Sequence, residues 1–241
     1  MLEVSFKIAG DMALNVEFGN EISEDIVRWV LALAKKLKEN PIKGVTECVP
    51  TYRSLLIYYD PCLISHRYLL HSIKKYISYL NIMDKKEKRI HLIPVCYGGE
   101  YGKDIGYVCK HVNMSEEDVI LMHSSKDYLI YMLGFLPGFA YLGGLNESLV
   151  TPRLENPRTR IPAGSVGIGG NQTGIYPIVS PGGWRLIGRT PMKPYDPLRE
   201  QIILYEAGDY IRFVPITPEK FRMIEQEVNE GTYRHQMIRA V

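Results

Sequence analysis

Five arginines, Arg153, Arg158, Arg160, Arg185 and Arg189, lie between Thr151 and Met192, where Glu155 is the one acidic residue and the stretch stands near +4. A guanidinium fork suits carboxylates and phosphates through paired, charge-assisted hydrogen bonds, and glycine-rich backbone can present N–H groups to the same anion. The glycines are present. Between Gly134 and Pro197 the chain concentrates 12 of its 21 glycines and 9 of its 15 prolines. That punctuation excludes helices and demands short strands joined by shaped turns.

The same run supplies neutral groups. Gln172 and Thr173 offer hydrogen bonds that orient an amide, and Tyr176 and Trp184 divide between barrel packing and a substrate platform. Arg153 and Arg189 each neighbour a proline corner, so bonding to turn carbonyls competes with anion binding. Arg158 and Arg160 are expected on opposite faces of an extended segment, with one of them lining a given pocket. Upstream, Glu100 and Asp104 suit an acid, a base or a magnesium ligand, or are solvated loop carboxylates. His66 and His71, five apart, lack ligand spacing, and His123 is expected at the surface or as a cap. Local residues thus reach a compact anion- or amide-binding site and stop short of a reaction.

Known enzyme signatures are excluded by the letters. Gly167-Ile168-Gly169-Gly170-Asn171-Gln172 ends in Gln where a dinucleotide fingerprint needs Gly or Ala, and Ser165 lacks the leading glycine of a nucleophile elbow. Lys193 follows Met192 but is followed by Pro194, which does not fit a biotin-carrier lysine. Four scattered cysteines, Cys48, Cys62, Cys96 and Cys109, favour reduced structural thiols over a metal site.

Across its 241 residues the chain carries a net charge of +2 with 46% hydrophobic residues, enough for packed cores and too little charge to coat nucleic acid or membrane. The start lacks a signal-peptide pattern and no apolar run reaches the roughly 18 residues of a membrane span, so a cytoplasmic location is expected.

The elements that must position these residues form two domains. Strands at Val4 to Ala9 and Ala13 to Phe18 flank a Gly10-Asp11 turn. Ser23 then caps a helix carrying Ile22, Ile26, Val30, Leu33 and Leu37 on one face, and Asn40-Pro41 stops it. Further strands at Val45 to Val49 and Ser54 to Tyr59 lead to a helix with Leu69, Ile73, Tyr76, Ile77 and Leu80, and to a strand at Ile90 to Val95. The charged stretch Asp84 to Arg89 reads as a loop or short linker. Later, Ser115 and Asp118 open a short helix, and strands at Gln201 to Tyr205 and Tyr210 to Val214 flank an Ala-Gly-Asp turn. Thr217-Pro218-Glu219 starts a closing helix with Phe221, Ile224 and Val228, stopped by Gly231. The fold class is α+β: an N-terminal α+β sandwich over 1–88, then a closed or nearly closed β-barrel over 89–241.

The ordered segments GVTECVPTYRSLLIYYDP, IPVCYGGEYG, YMLGFLPGFAYLGGL, TPRLENPRTRIPAGSVGIGGNQTGIYPIVSPGGWRLIGRTP and YDP closely resemble the 5-oxoprolinase B-subunit family. This family includes the KipI kinase inhibitor and is related to subunit 1 of allophanate hydrolase and to the carboxyltransferase domain of urea carboxylase. The resemblance implies a cyclophilin-like barrel, without implying prolyl isomerase activity. It also implies partner A and C subunits, and ATP with Mg2+ in the complex. With it, Arg158, Arg160, Gln172 and Tyr176 are the expected catalytic contacts, and Glu100, Phe135, Pro137, Phe139, Tyr141, Arg153, Thr173, Trp184 and Arg189 the expected substrate contacts. Lys103 and Ala140 depart from the family's usual prolines, beside the site. The alternative implied by KipI is a sensor histidine kinase as partner, docked on the aromatic surface of Phe135, Phe139 and Tyr141.

Overall fold

Apolar alternation along Val4–Ile8 (β1) and Ala13–Phe18 (β2) pairs them antiparallel, Val4 opposite Phe18, and drives Leu14, Val16 and Phe18 to one face. The computed structural model describes residues 3–80 and 88–240, and the chain divides into two compact units, Met1–Lys86 and Glu87–Val241. Most of the charged stretch beginning at Asp84 lies outside the described residues. Lys88 and Arg89 are already strand, a correction to the loop reading.

In the first unit, Ser23 Oγ accepts the Ile26 N–H at 3.3 Å and opens α1, Glu24–Glu39. Glu24 and Asp25 lie at its positive end and Lys36 and Lys38 at its negative end. Ile26, Val27, Val30, Leu33 and Leu37 are buried, whereas Ile22 precedes the cap and is exposed, contrary to expectation. Val45–Pro50 (β3) and Ser54–Tyr59 (β4) complete a sheet of order β1-β2-β4-β3. The helix His66–Ser78 (α2), capped by Ser65, buries Leu69 and Ile73 in the core shared by Val30, Leu33, Leu55 and Ile57. Full burial of each such side chain contributes about 1.5–3 kcal/mol. This is the α+β sandwich.

In the second unit, Lys88–Tyr97 (β5) is followed by two helices, Ile105–Val112 (α3) and Glu116–Ser124 (α4). The first of these carries no local signal, since it follows a glycine loop and has no side-chain cap. Ser115 Oγ caps α4 as expected, accepting the Asp118 N–H at 3.1 Å. Then come Tyr128–Leu133 (β6), Ala140–Leu142 (β7), Arg158–Ile161 (β8), Ser165–Gly169 (β9), Gln172–Ile175 (β10), Ser180–Gly182 (β11) and Arg185–Arg189 (β12). A 3-10 turn at Glu147–Leu149 is the one helical element among these strands. Tyr210–Pro215 (β13), Pro218–Glu230 (α5) and Met237–Ala240 (β14) end the unit.

Strand order β12-β9-β10-β7-β6-β13-β5 closes on itself because β12 also pairs with β5, Gly188 opposite Tyr97 and Arg189 opposite Cys96. Closure leaves these seven strands without an open edge. Ile93, Val95, Ile130, Val166, Ile168, Ile175, Ile187 and Phe213 fill the interior. The hairpin β8–β11 is a separate ladder, and β14 extends the sheet along the other half of β5, Met237 opposite His91. The expected strand Gln201 to Tyr205 reduces to one bridge, Tyr195 with Ile203. The Asp196 N–H to Ile202 carbonyl and Leu204 N–H to Pro194 carbonyl bonds flank that bridge, and Arg199 donates to the carbonyls of Lys193, Gln201 and Ile202 beside it.

Candidate functional site

Period-two alternation along β10 sorts its residues between the two sides of the barrel wall. Ile175 joins the interior, and Thr173 also points inward. Gly174 faces out beneath the indole of Trp184, where an added Cβ would come within 3.1 Å of the ring. On β9, a Cβ at Gly169 would overlap the same indole, and one at Gly167 would lie 3.2 Å from the Trp184 Cβ. The glycines therefore clear a bed for Trp184 on the outer wall.

An aromatic cluster covers that bed. Phe139 lies 5.6 Å from Trp184, 5.6 Å from Tyr176 and 5.1 Å from Tyr141, each edge to face, with Ile161 and Leu186 completing the cluster. Phe135 packs edge-on against Phe139 from outside and remains 65% exposed. Its backbone is left-handed, φ 68°, where a bulky side chain is strained. Exposed Pro137 belongs to the same 134–138 loop, which with Leu133 and Ile203 borders a depression of about 350 Å³.

Charged and polar groups rim the cluster. Arg153 lies over the Trp184 ring, 5.8 Å from its centroid, and donates to Gln172 Oε1 at 3.3 Å. Arg158 pairs with Asp104 through both terminal nitrogens, at 2.9 and 2.7 Å. Burial pushes the Tyr176 phenol above its ordinary pKa, opposed by a hydrogen bond from the main-chain N–H of Trp184 and by the charges of Arg153 and Arg158. The charges of two arginines from separate segments thus act on one hydroxyl.

Several expected contacts are placed elsewhere. Tyr176, Phe139 and Trp184 are buried in the cluster and serve as its floor, with little surface left for a ligand. Tyr141 is half-buried at its margin. Thr173 is excluded from the outer site because it faces the barrel interior. Arg189 donates to the Ala163 carbonyl at 2.9 Å and lies over Phe221, so it fastens a turn, the alternative raised for it from its proline neighbour. Arg185 stacks on Tyr107 at 3.6 Å. Glu100 is exposed on its loop.

The pairing of Arg158 and Arg160 needs a physical correction. Residues two apart in an unbroken strand share a face, so an extended segment alone does not separate them. Here a register shift opposite Pro181, with Gly182 facing Arg158 and Ser180 facing Ile161, makes a bulge that does. Arg158 turns to Asp104, while Arg160 is exposed and makes no side-chain hydrogen bond or ion pair among the described residues.

His123 departs from the surface or capping position expected for it. It is fully buried inside the barrel, stacked on Phe213 at 4.6 Å, and burial drives its pKa down to about 3. A complete donor chain fixes its neutral form. Tyr97 O–H donates to Nδ1 at 2.8 Å, Nε2–H donates to Thr173 Oγ1 at 2.8 Å, and Thr173 O–H donates to the Gly167 carbonyl at 3.0 Å. A histidine ending a helix gives no local sign of this; its partners come from β5 and β10.

A magnesium–nucleotide complex would need free carboxylate oxygens. Asp104 has both oxygens committed, to Arg158 and to the Leu186 N–H at 2.7 Å, and among the described residues no group of three or more His, Cys, Asp or Glu side chains is placed to hold a metal ion. These residues do not fit a magnesium–nucleotide cradle. Among the described residues no helix is long and apolar enough to cross a membrane.

Residues 4–205 match the family model described as carboxyltransferase domain, subdomain C and D. A Bacillus subtilis protein named as the B subunit of 5-oxoprolinase is 42% identical over 91% of this chain and 96% of its own length. A conserved uncharacterized protein of Pyrococcus horikoshii has a solved structure with 45% identity and TM-score 0.54, covering 90% of this chain and all of that one. The Kluyveromyces lactis urea amidolyase shares the fold, with TM-score 0.79 at 22% identity over 98% of this chain and 16% of that chain.

Proposed function

This chain belongs to the carboxyltransferase subdomain C and D family and, within it, to the 5-oxoprolinase B-subunit proteins, and on that premise we propose that it is the B subunit of an ATP-dependent 5-oxoprolinase. The complex opens the lactam C–N bond of 5-oxo-L-proline with water, giving L-glutamate, coupled to hydrolysis of ATP to ADP and phosphate. The A and C subunits complete it. The observation that carries the reading is the 42% identity with a protein of that name across nearly the whole of both chains.

The outer wall suits a small carboxylated lactam. Arg153, held over Trp184, presents its fork to the substrate carboxylate, and Gln172 exchanges its contact with Arg153 for one with the ring amide. Tyr176 and Phe139 form the apolar floor. ATP and magnesium belong to the partner subunits, since Asp104 is already committed here. Dependence on ATP accords with a cytoplasmic location.

The three-ring docking surface expected for a kinase partner is not available as such: Phe139 is buried and Phe135 alone is broadly exposed. No second reading is therefore advanced.

Reconstitution tests the proposal. The purified chain alone is expected to leave 5-oxo-L-proline intact, and its mixture with the A and C subunits to release glutamate and phosphate together. A complete mixture that binds but does not turn over would overturn the assignment.

A further inference from the structure

We infer that Asp104 is a positioning residue of the outer-wall site, acting through Arg158; this rests on the 5-oxoprolinase reading above. Asp104 sits at the start of α3 and is 8% exposed. Its Oδ1 accepts from Arg158 at 2.7 Å, and its Oδ2 accepts from Arg158 at 2.9 Å and from the Leu186 N–H at 2.7 Å. Its own N–H donates to the Leu186 carbonyl at 2.8 Å. One residue therefore clasps β12 by main chain and side chain, two positions beyond Trp184, and holds the guanidinium from β8 at the same time.

The clasp has a chemical consequence. Two-pronged pairing fixes the plane of a guanidinium, whereas a lone contact leaves it free to turn. Two of the five N–H donors of Arg158 are used, and the remainder are fixed in direction before any anion arrives. Arg158 retains 30% side-chain exposure, and its cross-strand partner Gly182 lies directly against the Tyr176 phenol, beside Trp184. With both oxygens occupied, Asp104 does not itself serve as acid, base or metal ligand. It orders Arg158 against the aromatic wall, so that binding a carboxylate does not have to order it.

Two measurements separate this role from simple structural support. Asp104→Asn keeps an acceptor for the Leu186 N–H and removes the charge. In the reconstituted complex it is expected to raise KM for 5-oxo-L-proline about tenfold with kcat little changed, as is Arg158→Ala, and the double variant is expected to match Arg158→Ala alone. Arg158→Lys is expected not to rescue, because a single ammonium cannot reproduce the fork. In the isolated chain, the Arg158 Nε–H resonance is expected to be sharp in wild type and exchange-broadened in Asp104→Asn, with the Trp184 indole N–H unmoved. Multiplying effects in the double variant, an unchanged KM, or an ordered Arg158 resonance in Asp104→Asn would each overturn the inference. A wild-type complex without turnover would sink the 5-oxoprolinase reading instead, and the resonance would then decide this one.

Discussion

His91 and His235 meet ring nitrogen to ring nitrogen, Nδ1 to Nε2 at 2.8 Å, with their rings stacked 5.1 Å apart. His91 Nε2 is 3.0 Å from Asp209 Oδ2, and Asp209 in turn receives Arg89 at 2.6 Å. Burial pushes the Asp209 carboxyl up, but the bonds from His91, the Glu206 N–H and Arg89 together hold it low. Its negative charge makes His91 Nε2 the donor, so His91 Nδ1 accepts from His235. The contact fastens the segment leading into β14 against β5.

This pair makes stability depend on pH. Burial, with the charges of His91 and Arg199, lowers the His235 pKa from 6.5 to about 4. The charged groups facing the pair are Asp209, Arg89, Glu206 and Arg199. A histidine whose folded pKa lies below its unfolded one adds stability in full above pH 6.5 and loses it as pH falls toward the folded value. Buried His123, held near 3, acts in the same direction. Urea titrations at pH 7.5 and pH 5 are expected to differ by roughly 1–2 kcal/mol per histidine. His235→Asn is expected to remove its share, and an unchanged slope in that variant would refute the assignment.

The barrel network predicts a cost that local sequence hides. Thr173→Val keeps the shape of the side chain and leaves the His123 Nε2–H without an acceptor inside the barrel. A buried donor left unpaired costs about 1–3 kcal/mol, so chemical denaturation should show a loss of that size. A neutral result would mean that the interior admits a replacement acceptor.

Gly169→Ala addresses the bed beneath Trp184. The new methyl meets the indole, and overpacking of this kind costs roughly 1–3 kcal/mol. Trp184 fluorescence is expected to shift with the loss of stability. Gly170→Ala would be a poor control, because Gly170 is left-handed at φ 67° and strained for any side chain.

The two neighbouring arginines should part company. Arg160→Ala is expected to stay within about 0.5 kcal/mol of wild type, since the side chain is exposed and without an ion pair among the described residues. Arg158→Ala strands the mostly buried Asp104 carboxylate and is expected to cost about 2–4 kcal/mol by thermal or urea unfolding. Equal losses would mean that the bulge does not separate them.

Phe135→Gly tests whether strain is kept for use. Relief of the left-handed backbone is expected to raise stability by up to about 1 kcal/mol, offset in part by the freer unfolded chain. Activity of the reconstituted complex is expected to fall. A variant both less stable and fully active would show that the ring serves packing.

Local signals determined much of this fold. Caps at Ser23, Ser115 and Thr217, the αL stop at Gly231 and the apolar faces of α1 and α5 are set by residues within a turn of one another, and each forms where its sequence places it. The glycines and prolines from Gly134 to Pro197 likewise dictated short strands, because φ freedom and a missing donor are properties of single residues. Family membership was also legible, in long ordered motifs. Tertiary structure alone decided which side of the barrel wall each candidate meets. Alternation puts the adjacent Thr173 and Gln172 on opposite faces of β10, but only closure makes one of those faces the interior, where Thr173 meets His123, and leaves Gln172 outside with Arg153. Asp104 and Arg158 are 54 positions apart, and His91 and His235 are 144 apart. Barrel closure and the bulge in β8 bring the first pair together, the addition of β14 to β5 the second, and no periodicity within either segment encodes its partner.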